Sequence, residues 1–153
     1  MTAIRRWWLQ FGKKRCAKAR HLLIEADAGG CNGHRSRLWK WELQQLANET
    51  GLSITVAHYP SGASKWNPIE HRLFSQITRN WAGFPLHSLD IMLNFLRGTT
   101  TTKGLVVDAE LDYHTYLKGI KINDSQIQSL NIKRRKLCPN FNYTIAPLKT
   151  GSN

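Results

Sequence analysis

Acidic residues are scarce in this sequence. Ten Asp and Glu stand against 22 Lys and Arg, which gives the 153-residue chain a formal net charge of +12. An excess of this size disfavours basic partners and favours polyanions. The cations also cluster, at residues 5–6, 13–15 and 133–136. We therefore predict nucleic acid as the partner, with an anionic membrane or a merely basic solvated surface as alternatives.

Cysteine pairs and long hydrophobic runs are absent. The three cysteines, Cys16, Cys31 and Cys138, form no CxxC motif, and no histidine pair has zinc-finger spacing. This pattern disfavours a disulfide framework or a zinc finger and favours a reducing compartment. No apolar run approaches the roughly 20 residues that span a bilayer, and the N-terminus lacks a signal-peptide core. We predict a cytoplasmic protein with no membrane partner and no small-molecule substrate.

The composition is that of a folded protein. Apolar residues make up 41% of the chain and aromatic residues 10%, with six tryptophans. A chain of this length can bury one proper core and is too short to suggest two. We predict a single domain over residues 1–153, with its core motifs in 21–98 and a C-terminal extension in 99–153.

Hydrophobic periodicity in the first 60 residues predicts a helix followed by a strand–helix–strand unit. The segments are helix 2–11 ended by Gly12, a strand through Leu22–Ile24 that ends at Asp27, glycine-rich turn 29–33, helix 34–50 stopped by Gly51, and strand 52–60. Such units usually place two parallel strands beneath a covering helix. The pattern therefore predicts an α/β fold with Asp27 at the carboxyl end of a buried strand.

A second helical region follows in "KWNPIEH", residues 65–71. Asn67 is a good N-cap and Pro68 a good first helical residue, so the helix should start there. A further helix is predicted over 86–96, and residues 104–113 resemble an extended edge segment. The remainder is weakly patterned.

Two carboxylates are candidates for chemistry. Asp27 lies at a strand end, where open α/β sheets place ligands, although an aspartate there can also simply cap a turn. Glu70 occupies the third helical position after Asn67, where a glutamate can instead complete a capping box. If both side chains converge, they could hold Mg²⁺, which leaves coordination positions for phosphate oxygens.

Other polar residues favour structural roles. Asp108, Glu110 and Asp112 alternate with apolar residues, which is typical of an exposed strand face. Glu25 shares a face with Asp27 and is more simply solvent-facing or ion-paired. His58 and His71 have no zinc-site spacing, so we interpret them as core or surface histidines.

Taken together, the motifs resemble bacterial insertion-sequence transposases of the Rhodopirellula-type DDE family over residues 2–148. The motifs that carry the resemblance are "ADAGGCNG", "RLWKWELQQLA", "HYPSGASKWNPIEHRLFS", "TTTTKGL" and "NYTIAPL". The "NPIE" helix alone would indicate only the wider superfamily that includes Tc1/mariner-type enzymes. The combined length of the match makes it more specific.

The resemblance implies an RNase H-like catalytic core in which Asp27 and Glu70 are the second and third acidic metal ligands. It also implies Mg²⁺ or Mn²⁺ at a two-metal site in the complete domain, with DNA cleavage followed by attack of the freed 3′-OH on target DNA. Transposon ends and target DNA, in the bacterial nucleoid, would be the partners. On charge and proximity, the candidate phosphate contacts are Lys65, Arg72, Arg79, Arg35 and Arg37.

The chain departs from the family pattern at its start. The family's first aspartate and its helix-turn-helix part should precede "IRRWWLQFG", and neither is present in the sequence. We therefore expect a transposase catalytic domain truncated at the N-terminus, without the first strands of its sheet, marginally stable and inactive by itself. Self-association, or association with a full-length transposase, is expected.

Two other functions fit the same residues. Another RNase H-like nuclease, such as a junction resolvase, would stop at hydrolysis. A non-catalytic DNA-binding remnant that regulates transposition would bind DNA in a salt-dependent way without either carboxylate.

Overall fold

The computed structural model describes residues 1–148, apart from the side chain of Ser64. The last five residues of the predicted domain, 149–153, lie outside this range. The chain divides into two compact units, which we describe separately: one comprises Met1–Gly62 and the chain from Gly119 onwards, and the other comprises Ala63–Lys118. The prediction of one catalytic domain stays a prediction.

The elements show a mixed α/β chain. In order they are α1 (Thr2–Trp7), a π-helical segment (Trp8–Gly12), α2 (Lys13–Arg15), β1 (His21–Asp27), α3 (Arg37–Thr50), β2 (Ser53–Tyr59), a 3₁₀ turn (Ser64–Trp66), a π-helical segment (Glu70–Phe74), α4 (Ser75–Trp81), α5 (Leu89–Arg97), α6 (Asp124–Gln128), β3 (Ile132–Arg134) and β4 (Asn142–Ile145). The strands form one four-stranded sheet in the order β1-β2-β4-β3. The predicted α/β class is thus confirmed.

The strand–helix–strand unit is built as predicted. β1 and β2 are parallel, with Asp27 opposite Tyr59 at their carboxyl ends. Between them, α3 begins after Ser36, whose Oγ accepts a 3.2 Å hydrogen bond from the Trp39 N–H. The helix ends at Gly51, which adopts φ 73°. Glycine takes this left-handed conformation without the steric cost of a Cβ, so the predicted stop is confirmed.

The core of the first unit lies between α3 and one face of the sheet. Alternate residues of β2 and β4 point to this face and are fully buried with the inner stripe of the helix: Leu43, Leu46, Ala47, Ile54, Val56, Tyr143 and Ile145. Trp8 from the N-terminal helical segment completes the cluster. Complete burial of each large side chain stabilises the fold by about 1.5–3 kcal/mol. The apolar faces that the helical and strand periodicities predict therefore pack together in one layer.

The predicted helix stop at Gly12 is wrong. Gly12 has helical angles, φ −59° and ψ −49°, and the helix continues to Arg15. A Cβ at Gly12 would lie 2.5 Å from Cε3 of Trp8. The glycine is therefore explained by the space that the Trp8 ring needs, and a local stop is not required.

The C-terminal part supplies two strands that its weak pattern did not predict. β4 lies between β2 and β3, and both of its pairings are antiparallel. The buried side chain of Gln44 holds this region, because its Nε2 donates to the Ala146 carbonyl at 2.8 Å and its Oε1 accepts from the Asn131 N–H at 2.8 Å. Strands of three and four residues are too short for alternation to identify.

In the second unit, the helix of the "NPIE" segment begins at Pro68, as predicted. The Asn67 Oδ1 accepts a 3.2 Å hydrogen bond from the Ile69 N–H. The next helix, α5, starts after Ser88, whose Oγ accepts from the Ile91 N–H. It therefore begins three residues later than predicted. Asn80 joins the two helices by donating a 2.7 Å hydrogen bond to the Phe95 carbonyl.

The predicted edge segment of the second unit is extended but hardly paired. A single antiparallel bridge joins Thr100 to Val106. The acids of this segment are exposed, whereas their apolar neighbours, such as Val107 and Ala109, are half-buried. The predicted alternation of exposed acids with less exposed apolar residues is confirmed, although the segment forms no regular strand.

Candidate functional site

Asp27 is the last residue of β1, and its side chain is exposed. Among residues 1–148, no hydrogen bond or ion pair engages its carboxylate. Its neighbour on the same face, Glu25, accepts a 3.0 Å hydrogen bond from the Tyr59 hydroxyl. Desolvation, this hydrogen bond and the charges of Glu25 and Asp27 raise the pKa of Tyr59. The strand end is therefore locally negative, and the Asp27 carboxylate is available to a cation.

The turn after Asp27 is anchored by two histidines. The buried His58 ring lies with Nε2 2.9 Å from the Asn32 carbonyl and Nδ1 3.1 Å from the Phe141 carbonyl. His34 stacks on Phe141 with ring centroids 4.4 Å apart, and its Nδ1 lies 3.1 Å from the Ala28 carbonyl. His58 is thus the core histidine that the sequence predicted. Its contacts fix the turn beside the sheet end.

A glycine is required at one position of this turn. Gly33 is buried, and a Cβ there would lie 2.7 Å from the backbone oxygen of Ala28. Gly29, in the same turn, has open space around it. The close backbone approach at Gly33 therefore shapes the turn. The glycine-rich sequence alone does not show which of its glycines is required.

A cavity of about 520 Å³ opens beside the turn at the start of α3. Its lining residues are Ala28, Gly30, Gly33, His34, Arg35, Ser36 and Ser61. The helix start carries free N–H groups and a partial positive charge, and the Arg35 side chain adds a full one. An anion such as a phosphate group fits these electrostatics. Arg35 lines this cavity, and its role as a phosphate contact stays a prediction.

The Arg37 side chain already makes contacts within the protein. Its Nη1 lies 2.6 Å from the Asp124 carboxylate and 3.3 Å from the Ile122 carbonyl. The ion pair joins the start of α3 to the start of α6. About half of the Arg37 side chain, 54%, stays exposed, so the predicted phosphate contact would compete with Asp124.

Glu70 is half-buried in the second unit and begins the π-helical segment. Its N–H donates to the Asn67 carbonyl at 3.1 Å. Within the described residues its carboxylate makes no hydrogen bond or ion pair, and in particular it does not reach back to the helix cap. The capping-box interpretation of Glu70 is therefore wrong, and the side chain is available for another role.

The predicted phosphate contacts of the second unit lie on the helical run that carries Glu70 and in the 3₁₀ turn just before it. Arg72 and Arg79 are exposed. The Lys65 Nζ lies 5.4 Å from the centroid of the Trp66 ring, and the Lys65 carbonyl lies 2.9 Å from Nε2 of His71. His71 is thus engaged with backbone, as a surface histidine. The three cations leave this region positively charged.

The donor chemistry of the two carboxylates suits Mg²⁺. Carboxylate oxygens are the hard ligands that this ion prefers, and within residues 1–148 neither carboxylate has a hydrogen-bond or ion-pair partner. Asp27 belongs to the first unit and Glu70 to the second. In the part of the chain that is described, no group of three or more His, Cys, Asp or Glu residues is arranged to hold a metal ion.

A second basic surface of the first unit lies at the β3 end of the sheet. Desolvation, and then the positive charge of Arg134, lower the pKa of Lys40. The cations of this surface continue along the exposed residues Lys133, Arg135 and Lys136. Because β1 and β3 occupy opposite edges of the sheet, this surface lies away from Asp27. We call residues 133–136 together with Lys40 the β3 basic surface.

No helical stretch in residues 1–148 has the length and hydrophobicity that a membrane crossing requires. The sequence matches the family model described as the Rhodopirellula transposase DDE domain over residues 1–147. No similar curated protein and no similar solved structure was found. Because the family match spans nearly the whole chain, the chain belongs to the Rhodopirellula-type transposase DDE domain family.

Proposed function

We propose that this chain takes part in the metal-dependent cleavage and strand transfer of an insertion sequence, with Asp27 and Glu70 as ligands of Mg²⁺ or Mn²⁺. The family match over residues 1–147 carries the proposal. It is supported by the position of Asp27 at the carboxyl end of a parallel strand, where α/β sheets bind ligands. An RNase H-like arrangement of the sheet is part of the proposal.

The two carboxylates would act by holding metal ions against DNA. When bound, such ions activate water and stabilise the leaving oxygen in phosphoryl transfer. The protein contributes two hard oxygen ligands, and the histidine-anchored turn keeps the backbone beside Asp27 in place. In the proposed reaction water, and then the freed 3′-OH, attack phosphorus directly, so no covalent enzyme intermediate is needed.

Positive side chains would position the DNA backbone. Arg35 at the cavity, and Lys65, Arg72 and Arg79 on the second unit, are the proposed phosphate contacts. Arg37 belongs to this set only if DNA displaces part of its ion pair with Asp124. Phosphate contacts carry most of the affinity of such proteins and make it depend on salt.

We further propose that the chain works in an assembly, with another copy of itself or with a full-length transposase. A cytoplasmic location beside the bacterial nucleoid is part of this proposal, because that is where its DNA would be.

A second candidate function is DNA binding without catalysis, as a regulator of transposition. The β3 basic surface favours it, since these cations lie at the sheet edge opposite to Asp27. Their contact with DNA would not depend on either carboxylate.

DNA binding tests both candidates in one titration. Fluorescence anisotropy with duplex DNA over a range of salt should give a linear fall of log K with log salt. Arg35→Ala or Arg72→Ala should each reduce the magnitude of the slope by about one. Arg5→Ala is the matched control, because Arg5 already pairs with Glu49 at 2.7 Å. A salt-independent affinity, or unchanged slopes in both variants, would contradict the proposed contacts.

The role of the carboxylates separates the two candidates. If the chain is a metal-dependent partner in cleavage, Mg²⁺ should strengthen DNA binding by wild type and not by Asp27→Asn. If it only binds DNA, both proteins should respond to Mg²⁺ alike.

A further inference from the structure

The antiparallel strands β3 and β4 form a hairpin, and residues 135–141 connect them. We call these seven residues the hairpin tip. Every residue from 133 to 140 is exposed, and Leu137 is 77% exposed directly after Arg135 and Lys136. The tip therefore presents one apolar side chain to solvent beside a run of cations.

The hairpin tip is held in one conformation by its own hydrogen bonds. The Arg135 N–H donates to the Asn142 carbonyl at 2.9 Å, which continues the strand ladder by one residue. The N–H groups of Phe141 and Asn142 both donate to the Cys138 carbonyl at 2.9 Å. The Asn142 Nδ2 donates to the Leu137 carbonyl at 3.1 Å. A fixed backbone presents Leu137, so binding through it costs little conformational entropy.

The base of the tip is anchored on both sides. The Arg134 Nη1 donates to the Asn140 Oδ1 at 2.8 Å, and the Phe141 ring stacks on His34 with centroids 4.4 Å apart. His34 belongs to the turn after Asp27. The tip and this turn are therefore packed together.

The hairpin tip and Asp27 lie at the same end of the sheet, although β3 and β1 are its opposite edges. Asn142, the first residue of β4, lies opposite Ala57, and Asp27 lies opposite Tyr59 two residues further along β2. Strands spaced by about 4.8 Å place β1 and β3 about 14 Å apart. A helical turn of B-DNA measures roughly 34–36 Å, so one duplex can contact both places.

We propose that the hairpin tip inserts Leu137 between two base pairs of DNA from the minor groove, with Arg135 and Lys136 against the flanking phosphates. The minor groove is only about 6 Å wide, which suits one side chain on a tight turn. Apolar wedges of this kind partly unstack a base step and kink the duplex by about 20–90° toward the major groove. The inference rests on DNA as the partner, which the proposed function shares, and on neither carboxylate.

DNA is favoured over an anionic membrane as the occupant. The chain belongs to a transposase family, and DNA is the polyanion on which transposition acts. Leu137 is the one large hydrophobic residue in the exposed stretch 133–140, whereas binding in a membrane interface needs a broad apolar face. A single apolar side chain among cations is the pattern of a DNA wedge.

Fluorescence anisotropy without added metal tests the wedge, using a duplex of about three helical turns and the same duplex with one central mismatch. A mismatch removes part of the unstacking cost, so wild type should bind the mismatched duplex at least about tenfold more tightly. Leu137→Ala should lose this preference to within about twofold, and Leu137→Phe, another apolar wedge, should keep it. Leu117→Ala, at an 84% exposed leucine of the second unit, is the control and should behave like wild type. Equal preference in Leu137→Ala and wild type, or no preference in wild type, would overturn the proposal.

Energy transfer between dyes at the two ends of the paired duplex measures the bend. Wild type should raise the transfer, Leu137→Ala should not, and both should keep the same salt slope because their cations are the same. Asp27→Asn should bend DNA like wild type, since neither carboxylate takes part. Straight DNA bound by wild type would overturn this inference alone, whereas loss of metal binding with the bend intact would contradict only the proposed function.

Cosedimentation with phosphatidylserine vesicles tests the membrane as the alternative occupant. Wild type and Leu137→Ala should sediment alike. Loss of vesicle binding in Leu137→Ala, with the DNA bend unchanged, would assign the hairpin tip to a membrane and overturn the proposal.

Discussion

The Nε2 atom of His58 lies 2.9 Å from the carbonyl oxygen of Asn32, and this contact ties the turn after Asp27 to the adjoining strand β2. The same ring reaches the Phe141 carbonyl at 3.1 Å through Nδ1. The ring is buried, so both contacts are shielded from water, and together with His34 it holds the turn in place.

His58→Ala should destabilise the first unit by about 1–3 kcal/mol, because the partly buried carbonyl oxygens of Asn32 and Phe141 lose a hydrogen-bond partner. Urea unfolding followed by circular dichroism measures this change. His87→Ala, at an exposed histidine, is the control and should stay within about 0.5 kcal/mol of wild type. Equal stability of the two variants would show that the turn does not depend on His58.

Gly33→Ala should be destabilising by about 1–3 kcal/mol, since its Cβ would lie 2.7 Å from the Ala28 backbone oxygen and the turn must shift. Gly29→Ala, four residues earlier, has no heavy atom within 4 Å of the added Cβ. It should be neutral or slightly stabilising. Thermal unfolding of the two variants compares them directly, and a larger loss in Gly29→Ala would contradict the turn geometry.

Tyr143→Phe should destabilise the first unit by about 1–3 kcal/mol at neutral pH. The Trp39 Nε1–H donates a 3.0 Å hydrogen bond to the Tyr143 hydroxyl in the core, and the phenylalanine variant leaves this donor without an acceptor. Tyr113→Phe is the control, because Tyr113 is 83% exposed. Urea unfolding of both variants gives the comparison.

The same tyrosine gives a pH dependence of known sign. Burial raises the pKa of Tyr143 to about 12, although the Trp39 hydrogen bond and Arg134 oppose the shift. In the unfolded chain this tyrosine ionises near pH 10. The stabilisation that neutral Tyr143 gives the folded state is therefore complete below that pH and is lost as the pH rises toward 12. The stability difference between wild type and Tyr143→Phe should therefore shrink over this range. A constant difference would contradict the shift.

Strong local signals in the sequence predicted the part of the fold around Asp27. Three local signals predict the parallel β1–β2 pair correctly: the apolar run Leu22–Ile24, the apolar stripe of α3 and the helix stop at Gly51. The tertiary structure keeps each of these local preferences. The start of the second-unit helix at Asn67 and Pro68 was predicted for the same reason. These local signals therefore suffice to place Asp27 at the end of β1.

Long-range packing explains what the sequence did not reveal. β4 is a central strand of only four residues, and its place depends on pairing with β2 and on the side chain of Gln44. The local sequence predicts a helix stop at Gly12, but the position needs glycine because a Cβ would clash with the Trp8 ring. The role of His58 was hidden because both carbonyl partners are distant in sequence. Short strands, close approaches of the backbone and buried polar contacts produce little recognisable pattern in the local sequence.

The most direct test of the central claim is metal binding by the two carboxylates. Mn²⁺ titration followed by electron paramagnetic resonance, with duplex DNA present, should show specific binding to wild type. Asp27→Asn and Glu70→Gln should each weaken it at least tenfold, while Asp90→Asn, at an exposed acid of α5, should bind like wild type. Wild-type affinity in both Asp27→Asn and Glu70→Gln would contradict the account.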